Sequence, residues 1–300
     1  MTTSWPAPVQ TMRGLERRAL RIVLWPIVGA FSVAILLSCN EERTRTGPVS
    51  SEEAAEPSGP VTVTIAYDNN SHDDRLEVAW GFSCIVQLAG ASVLFDTGGN
   101  GAVLLRNMEK LEIDPTEIDL VVLSHIHRDH VSGLEAFLEQ NGDVTVYLPT
   151  SFPESLKDEV RFHAARLEEV HGPRQILPGV HTTGELDGGI KEQSLVVKTE
   201  EGLVVITGCA HPGVVNVVRE ARKIAGREVH LVLGGFHLGG ASTARIESVV
   251  DSFVQLEVEK VAPCHCTGEN ARSVFRERYG DNYIECGVGR RIAVAAGAGH

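Results

Sequence analysis

Three histidines and one aspartate stand within six residues, directly after a short apolar run. The apolar residues 120–123 lead into His125, His127, Asp129 and His130. In an extended segment, the first two histidines project to the same side. Imidazole and carboxylate groups together suit Zn, Mn or Fe. The cluster therefore predicts a metal site; a surface histidine cluster without metal is the alternative.

A helix is predicted to begin just beyond this cluster. Ser132 and Glu135 have the spacing of a capping box, in which a hydroxyl and a carboxyl group satisfy the first backbone amides of a helix. The ligand-type side chains would then lie on a strand-to-helix turn, where they converge on a cleft. Two metals about 3.5–4 Å apart can polarise one water at such a place.

The same arrangement of strand, turn and helix recurs later in the chain. The predicted strand Leu203–Thr207 leads into Gly-Cys-Ala-His-Pro-Gly, and a helix is predicted at Val214–Ala225. We therefore expect His211 to be a metal ligand. Cys209 is either a soft thiolate ligand or a small buried residue. A third apolar strand ends at Pro-Cys-His-Cys-Thr-Gly, which places His265 on another turn.

A glycine-rich loop follows the predicted strand Glu228–Leu233, which lies between the two strands just described. Its sequence is Gly-Gly-Phe-His-Leu-Gly-Gly, with His237 at the centre. Glycines let backbone amides crowd an anionic group, and a histidine there can donate to the same oxyanion. We expect His237 to contact substrate; a flexible loop without function is the alternative.

The motif His-x-His-x-Asp-His resembles the signature of the metallo-β-lactamase superfamily. This resemblance implies a four-layer αββα sandwich with a binuclear metal site, most often of zinc. Strict β-lactamases of that fold usually carry Arg or Cys where this chain has His130. The sequence is therefore more similar to the wider hydrolase branch of the superfamily.

The resemblance also implies roles for individual residues. Asp96, in Phe-Asp-Thr-Gly-Gly, would orient ligands rather than bind metal. Superfamily members generally place a bridging aspartate near Cys209. Asp129 would orient the attacking water and carry its proton, and His237 would stabilise the developing negative charge. The implied ligands of the two metals are His125, His127 and His211 for one, and Asp129, His130 and His265 for the other.

Three motifs together narrow the resemblance. Gly-Cys-Ala-His-Pro-Gly, Gly-Gly-Phe-His-Leu and Pro-Cys-His-Cys-Thr-Gly resemble a subfamily labelled dihydropterin ribofuranosylaminobenzene phosphate synthase-like, over about Val61–Val294. Ile126 and Arg128 stand where such proteins often carry Gly and Tyr, and Arg128 fits either an anionic substrate or simple solvation. Three functions follow: a metallohydrolase of a small ester, lactone, thioester or phosphoester, a pterin-type synthase, or a non-catalytic metal-binding lipoprotein.

Net charge argues against nucleic acid as a partner. The chain carries −13, and the four arginines and one glutamate of residues 1–39 contribute +3, so the remainder carries −16. An acidic body offers no basic face that could release counterions from a phosphate backbone. We therefore set aside the nuclease members of the superfamily and expect a small-molecule substrate; the sequence leaves the oligomeric state open.

The first 60 residues are predicted to lie outside the catalytic domain. Four arginines precede the apolar run Ile22–Ser38, which is short for a membrane span and suits a signal peptide. Leu-Leu-Ser-Cys resembles a bacterial lipobox with lipid on Cys39; an uncleaved membrane anchor is the alternative. We expect a signal at residues 1–39, a disordered tether at 40–60 and the catalytic domain at 61–296, exported and facing the periplasm or the cell exterior.

Two further elements are predicted in the body. Glu154–Val170 has apolar residues at helical spacing, which predicts one long helix with His163 packed on its apolar face. Tyr283–Val294 is predicted to close the domain as a strand.

Overall fold

A computed structural model describes residues 60–163 and 165–294. The predicted signal, lipobox and tether lie outside the described residues, apart from Pro60. Within the described ranges, no helix combines the length and the apolar character that crossing a membrane would need.

The strands form two sheets. In chain order the strands are β1 Val61–Tyr67, β2 Ser83–Leu88, β3 Ala91–Phe95, β4 Leu120–Val122, β5 Thr145–Pro149, β6 Arg166–Val170, β7 Arg174–Leu177, β8 Val180–Thr182, β9 Leu195–Thr199, β10 Gly202–Thr207, β11 Val229–Gly235, β12 Lys260–Cys264 and β13 Arg291–Val294. The first sheet has the order β13-β1-β2-β3-β4-β5-β6, and the second has the order β12-β11-β10-β9-β8-β7. Neighbours from β3 to β6 and from β10 to β12 pair in parallel.

Helices cover the outer faces of both sheets. The α-helices are α1 Gly101–Lys110, α2 Arg128–Val131, α3 Leu134–Gln140, α4 Glu154–Phe162, α5 Val214–Ala225, α6 Thr243–Gln255 and α7 Glu269–Tyr279. Apolar residues of α1, α3 and α4 pack on the first sheet, and those of α5, α6 and α7 pack on the second.

The alternation of side chains along the strands explains this layering. In β10, Val204 and Ile206 belong to the core between the sheets, whereas Leu203 and Val205 pack with the outer helices. Successive side chains of a strand point to opposite faces, and a strand covered on both faces is apolar throughout. The protein is therefore a mixed α/β sandwich of two sheets, as the sequence predicted in outline.

The predicted long helix over Glu154–Val170 is wrong beyond Phe162. Residues 166–170 form β6, which pairs in parallel with β5 along its whole length. Edge pairing with the sheet therefore overrides the helical spacing of the apolar residues. His163 caps the C-terminus of α4 and is only half-buried, so it does not lie within the core.

Two smaller predictions also differ from the structure. Ser132 is not the N-cap of the following helix but the C-cap of α2, with φ −70° and ψ −10°, and its N–H donates to the Arg128 carbonyl. An N-cap residue needs extended backbone, and α3 begins instead after Gly133, without a side-chain cap. The predicted closing strand is limited to β13, because the residues before it follow an irregular path.

Candidate metal centre

The candidate ligands follow the carboxyl ends of parallel strands in both sheets. β4 leads into the cluster His125–His130, while β10, β11 and β12 lead to His211, His237 and His265 respectively. Carboxyl ends of neighbouring parallel strands meet at one edge of a sheet, where side chains can converge on a ligand. The two sheets bring their edges together here: the ring centroids of His125 and His211 lie 4.6 Å apart.

The six predicted ligands form two groups of three. In each group, one possible ligand atom per residue lies within 4.8 Å of the others. These groups have the composition that the sequence analysis assigned to the two metals, although metal binding itself remains a prediction. The groups are His125, His127 and His211, and Asp129, His130 and His265.

Hydrogen bonds fix how the second group presents its nitrogens. His130 Nδ1 lies 2.7 Å from Asp96 Oδ2, and His265 Nδ1 lies 2.9 Å from Asn69 Oδ1. Both acceptors require a proton on Nδ1, so each Nε2 of a neutral ring carries a lone pair. The two Nε2 atoms face each other at 3.2 Å.

This spacing fits a cation. Two ligands at about 2.0–2.1 Å from a tetrahedral zinc are separated by about 3.3 Å, whereas two facing lone pairs repel each other. Asp129 Oδ2 lies 3.3 Å from His265 Nε2. Burial lowers the pKa of His265, but the hydrogen bond to Asp129 and nearby negative charges raise it overall. Positive charge is therefore favoured at this point.

The first group is oriented in the same manner. His211 Nδ1 lies 2.8 Å from Glu192 Oε2, and His125 Nδ1 lies 2.9 Å from Ser124 Oγ. The Ser124 hydroxyl is 2.7 Å from Asp96 Oδ2, so it donates to the carboxylate and accepts from His125. Burial, followed by the neighbouring charge of His130, lowers the pKa of His125 to about 3. The ring is therefore neutral at neutral pH, as a metal ligand must be.

Asp96, which the resemblance implies to be a residue that orients ligands, contacts His130 and Ser124. It is fully buried, and besides Ser124 Oγ and His130 it accepts the Ser124 backbone N–H at 2.7 Å. Burial raises the pKa of Asp96 to about 7, against the lowering effect of His125 and of the Ser124 hydrogen bonds. Asp96 thus connects the two groups of ligands through Ser124 and His130.

Glu192 also belongs to the candidate site, although no sequence motif indicated it. Its Oε1 accepts the backbone N–H groups of Cys209 and Ala210 at 2.8 Å each, and its Oε2 accepts that of His211 at 2.9 Å. Burial alone would raise the pKa of Glu192, but the bond to the His211 ring, the charge of His125 and these amides lower it to about 2. A buried carboxylate therefore holds the loop after β10 and the His211 ring together.

Cys209 lies between the two groups. Its Sγ is 3.3 Å from His130 Nε2, and it also lies within 4.8 Å of possible ligand atoms of His211 and His237. A hydrogen bond to Cys266, together with burial, raises the pKa of the Cys209 thiol. Both interpretations of Cys209, as ligand and as buried thiol, fit this position.

His237 lies at the rim of the cluster on the glycine-rich loop. Its ring centroid is 4.5 Å from that of His211, and its side chain is exposed. Interaction with the Cys266 thiol raises the pKa of His237. Arg128, in contrast, lines a separate surface cavity together with Glu135 and Glu159.

Backbone strain is concentrated in the loops of the site. Six non-glycine residues in the described ranges have positive φ, and four of them belong to this site. Such conformations cost about 1–3 kcal/mol each and persist where the surroundings impose them. The four are Asp96 (φ 57°), Ala210 (59°), His237 (51°) and His265 (48°).

Comparisons with known proteins agree with this fold and site. Residues 81–265 match the family profile described as metallo-beta-lactamase superfamily. The chain is 29% identical over 278 residues to the 7,8-dihydropterin-6-methyl-4-(beta-D-ribofuranosyl)-aminobenzene-5'-phosphate synthase of Methanocaldococcus jannaschii, covering 76% of this chain and 95% of the relative. The predicted resemblance to this superfamily and subfamily is thereby confirmed.

Solved structures give the same result. The crystal structure of Tm1679, a metal-dependent hydrolase of the beta-lactamase superfamily, matches with a TM-score of 0.68 and 31% identity, covering 78% of this chain and 99% of that one. The metallo-beta-lactamase fold protein YhfI from Bacillus subtilis matches with a TM-score of 0.60 at 13% identity, covering 78% of this chain and 100% of that one. The second similarity concerns the fold alone.

Proposed function

This chain belongs to the metallo-beta-lactamase superfamily, and from that premise we propose that it is a metal-dependent hydrolase with two divalent metals. Zinc is the first candidate, with Mn or Fe as alternatives, and the substrate is a small ester, lactone, thioester or phosphoester. One observation carries the proposal: two groups of three ligands converge, and the partners of their rings direct unprotonated nitrogens inward.

The roles of the chain's own residues follow from their positions. A divalent metal in the site supplies Lewis acidity, which can lower the pKa of a water molecule to about 7. Burial raises the pKa of Asp129, but the His265 hydrogen bond and the neighbouring imidazoles lower it overall. Asp129 is therefore a carboxylate that can orient an attacking water and accept its proton. His237, at the rim, can donate to the oxygen on which negative charge develops.

A synthase is the second candidate, because the relative from Methanocaldococcus jannaschii with 29% identity is named as one. Such an enzyme would use the same metals to form a carbon–carbon or carbon–nitrogen bond on a pterin-like substrate. The two candidates differ in their products, since a hydrolase consumes water and a synthase joins two substrates.

The test combines metal content with turnover. The purified chain would be loaded with Zn or Mn, its metal content measured by mass spectrometry, and a panel of chromogenic esters, lactones, thioesters and phosphodiesters supplied. We expect hydrolysis that a chelator abolishes and the metal restores. Joining of a pterin-like compound and an aromatic amine, without hydrolysis, would favour the synthase. Metal binding without turnover on either panel would favour a non-catalytic module.

We also propose that the chain is exported and tethered to a membrane through lipid on Cys39. Labelling with a palmitate analogue in bacterial cells tests this: the wild-type chain should carry the label in the membrane fraction, and Cys39→Ser should lose the label. A wild-type chain that is unlabelled but retained in the membrane fraction would instead favour an uncleaved anchor over Ile22–Ser38. Recovery of the wild-type chain unlabelled in the soluble cytoplasmic fraction would contradict both.

A further inference from the structure

A cavity of about 620 Å³ lies beside the candidate metal centre. Its walls are the first turns of α5, the face of α6 that carries Arg245, Ser248 and Ser252, and the glycine-rich loop around His237. His211 and His237 line the cavity and also belong to the groups of possible metal ligands. A molecule bound in the cavity would therefore extend directly to the metal centre.

The cavity is electropositive in an acidic protein. Arg219 and Arg245 line it and, among the residues that the structure describes, no aspartate or glutamate does, although the chain carries a net charge of −13. Within the described residues, the Arg245 guanidinium makes no hydrogen bond or ion pair, and Arg219 makes only a 3.4 Å contact with Asn216 Oδ1. Arg222, on the same helix as Arg219, pairs with Glu228 at 2.7 Å.

The start of α5 adds to this positive potential. Gly213 precedes the helix with φ 90°, and no side chain caps the first amides. Gly213, Val214 and Val215 all line the cavity. The N-terminus of a helix carries about half a positive charge, and its unpaired N–H groups bind anions.

We propose that this cavity binds a phosphate group on the non-reacting end of the substrate, through Arg219, Arg245 and the first amides of α5. This subsite depends on the hydrolase function proposed above and names its substrate class: a small phosphorylated ester, lactone or thioester. Arginine suits phosphate because its planar fork can donate two parallel hydrogen bonds. Anchored there, the substrate would place its reacting carbonyl between His237 and the metal ligands.

Binding of inorganic phosphate gives a test that does not depend on turnover. Calorimetry on the full-length, metal-loaded chain would compare the wild type with the Arg219→Gln/Arg245→Gln double variant and with Arg166→Gln. Arg166 is exposed on β6, at the edge of the other sheet, so it is a matched control for loss of charge. We expect the double variant to bind phosphate about tenfold to a hundredfold more weakly, with unchanged metal content, and the control to bind as the wild type does.

The His127→Ala variant separates the subsite from the metals. Phosphate held by the arginines should still bind to this variant, whereas phosphate held only by metal should not. Equal phosphate affinity in the wild type and the double variant would overturn the proposal, as would loss of binding in His127→Ala alone. Absence of measurable binding to the wild type would overturn it as well.

A pair of chromogenic esters that differ only in a phosphate tail tests the subsite in catalysis. We expect kcat/KM to favour the phosphorylated ester in the wild type, and this preference to fall at least about tenfold in the double variant. An equal preference in both proteins would contradict the subsite. If neither ester is hydrolysed while phosphate binding still depends on the arginines, the hydrolase proposal fails and the anion site stands.

Discussion

The metal centre and the arginine-lined cavity are adjacent, yet they are built in opposite ways. In the centre, the rings of His125, His130 and His265 are buried, and each has a hydrogen-bonding partner on Nδ1. In the cavity, Arg219 and Arg245 are exposed and nearly unpartnered. The first region is rigid before any substrate arrives, whereas the second can still adjust to one.

This difference suggests that the centre serves the chemistry and the cavity serves substrate recognition. Chemistry requires groups held within a fraction of an ångström, and that precision comes from side chains whose orientation is fixed by a surrounding layer of hydrogen bonds. Recognition of a substrate tail tolerates movement, because long side chains can reach the ligand from several rotamers. Changes in the centre should therefore affect metal and rate, and changes in the cavity should affect which substrate is used.

The largest effect is expected from His127→Ala, which removes a predicted ligand. We expect loss of metal and a fall in kcat of about 10³-fold or more, since the Lewis acidity of a bound metal lowers the activation barrier by several kcal/mol. Metal analysis and kinetics on the same preparation measure both. His163→Ala, the same change on a half-buried residue outside the site, should leave both intact. Full metal and full turnover in His127→Ala would show that the ligand assignment is wrong.

The next largest effect is expected from Glu192→Gln. One carboxylate oxygen becomes an NH₂ group that must face N–H donors of Cys209, Ala210 or His211, so the loop loses hydrogen bonds on one side. We expect metal affinity to fall by about 10–100-fold and the free energy of unfolding by about 1–3 kcal/mol. Metal titration and denaturant unfolding measure these. Glu228→Gln, which removes an exposed carboxylate paired with Arg222, is the control; equal affinities in both variants would remove Glu192 from the site.

His237→Ala tests whether His237 belongs to the metal centre or to the cavity, because this residue lines the cavity and contacts His211 of the centre. If it only stabilises developing charge, metal content should remain and kcat should fall by about 10²-fold. Metal analysis before and after dialysis, together with kcat, distinguishes the possibilities. Loss of metal would instead make His237 a ligand in the group with Cys209 and His211, and an unchanged kcat would leave it without a role in turnover.

The convergence of the candidate ligands could be predicted from the sequence, whereas the residues that surround them could not. His125 to His130 are contiguous after a buried strand, so their convergence follows from local geometry. Glu192 and Asn69 could not be predicted in this way, because Glu192 becomes buried only by accepting amides 17 to 19 residues later, and Asn69 meets His265 across 196 residues. No local signal distinguishes these two polar residues from others in loops.

The cavity and the segment Glu154–Val170 illustrate two further limits of what the sequence alone can predict. Arg219 and Arg245 occupy ordinary exposed helical positions, and only the packing of α5 beside α6 makes them neighbours. The segment Glu154–Val170 has apolar residues at helical spacing, but pairing with β5 decides its second half. Local pattern thus predicts where side chains with metal chemistry arise, whereas contacts between distant segments decide which residues orient them and which surfaces they share.

The smallest effect is expected from Trp80→Ala, at the rim of the centre beside His265. Trp80 is 60% exposed, and its ring centroid lies 5.1 Å from that of His265. An exposed indole beside the predicted ligands is suited to pack on the apolar part of a substrate, and such contacts contribute about 0.5–1.5 kcal/mol. We expect KM to rise by roughly two- to tenfold, with kcat and metal content unchanged. Phe162→Ala, which removes an 84% exposed ring at the end of α4, should change none of them. A fall in metal content in Trp80→Ala would mean that the indole shields His265, and the rigid region would then extend to this rim.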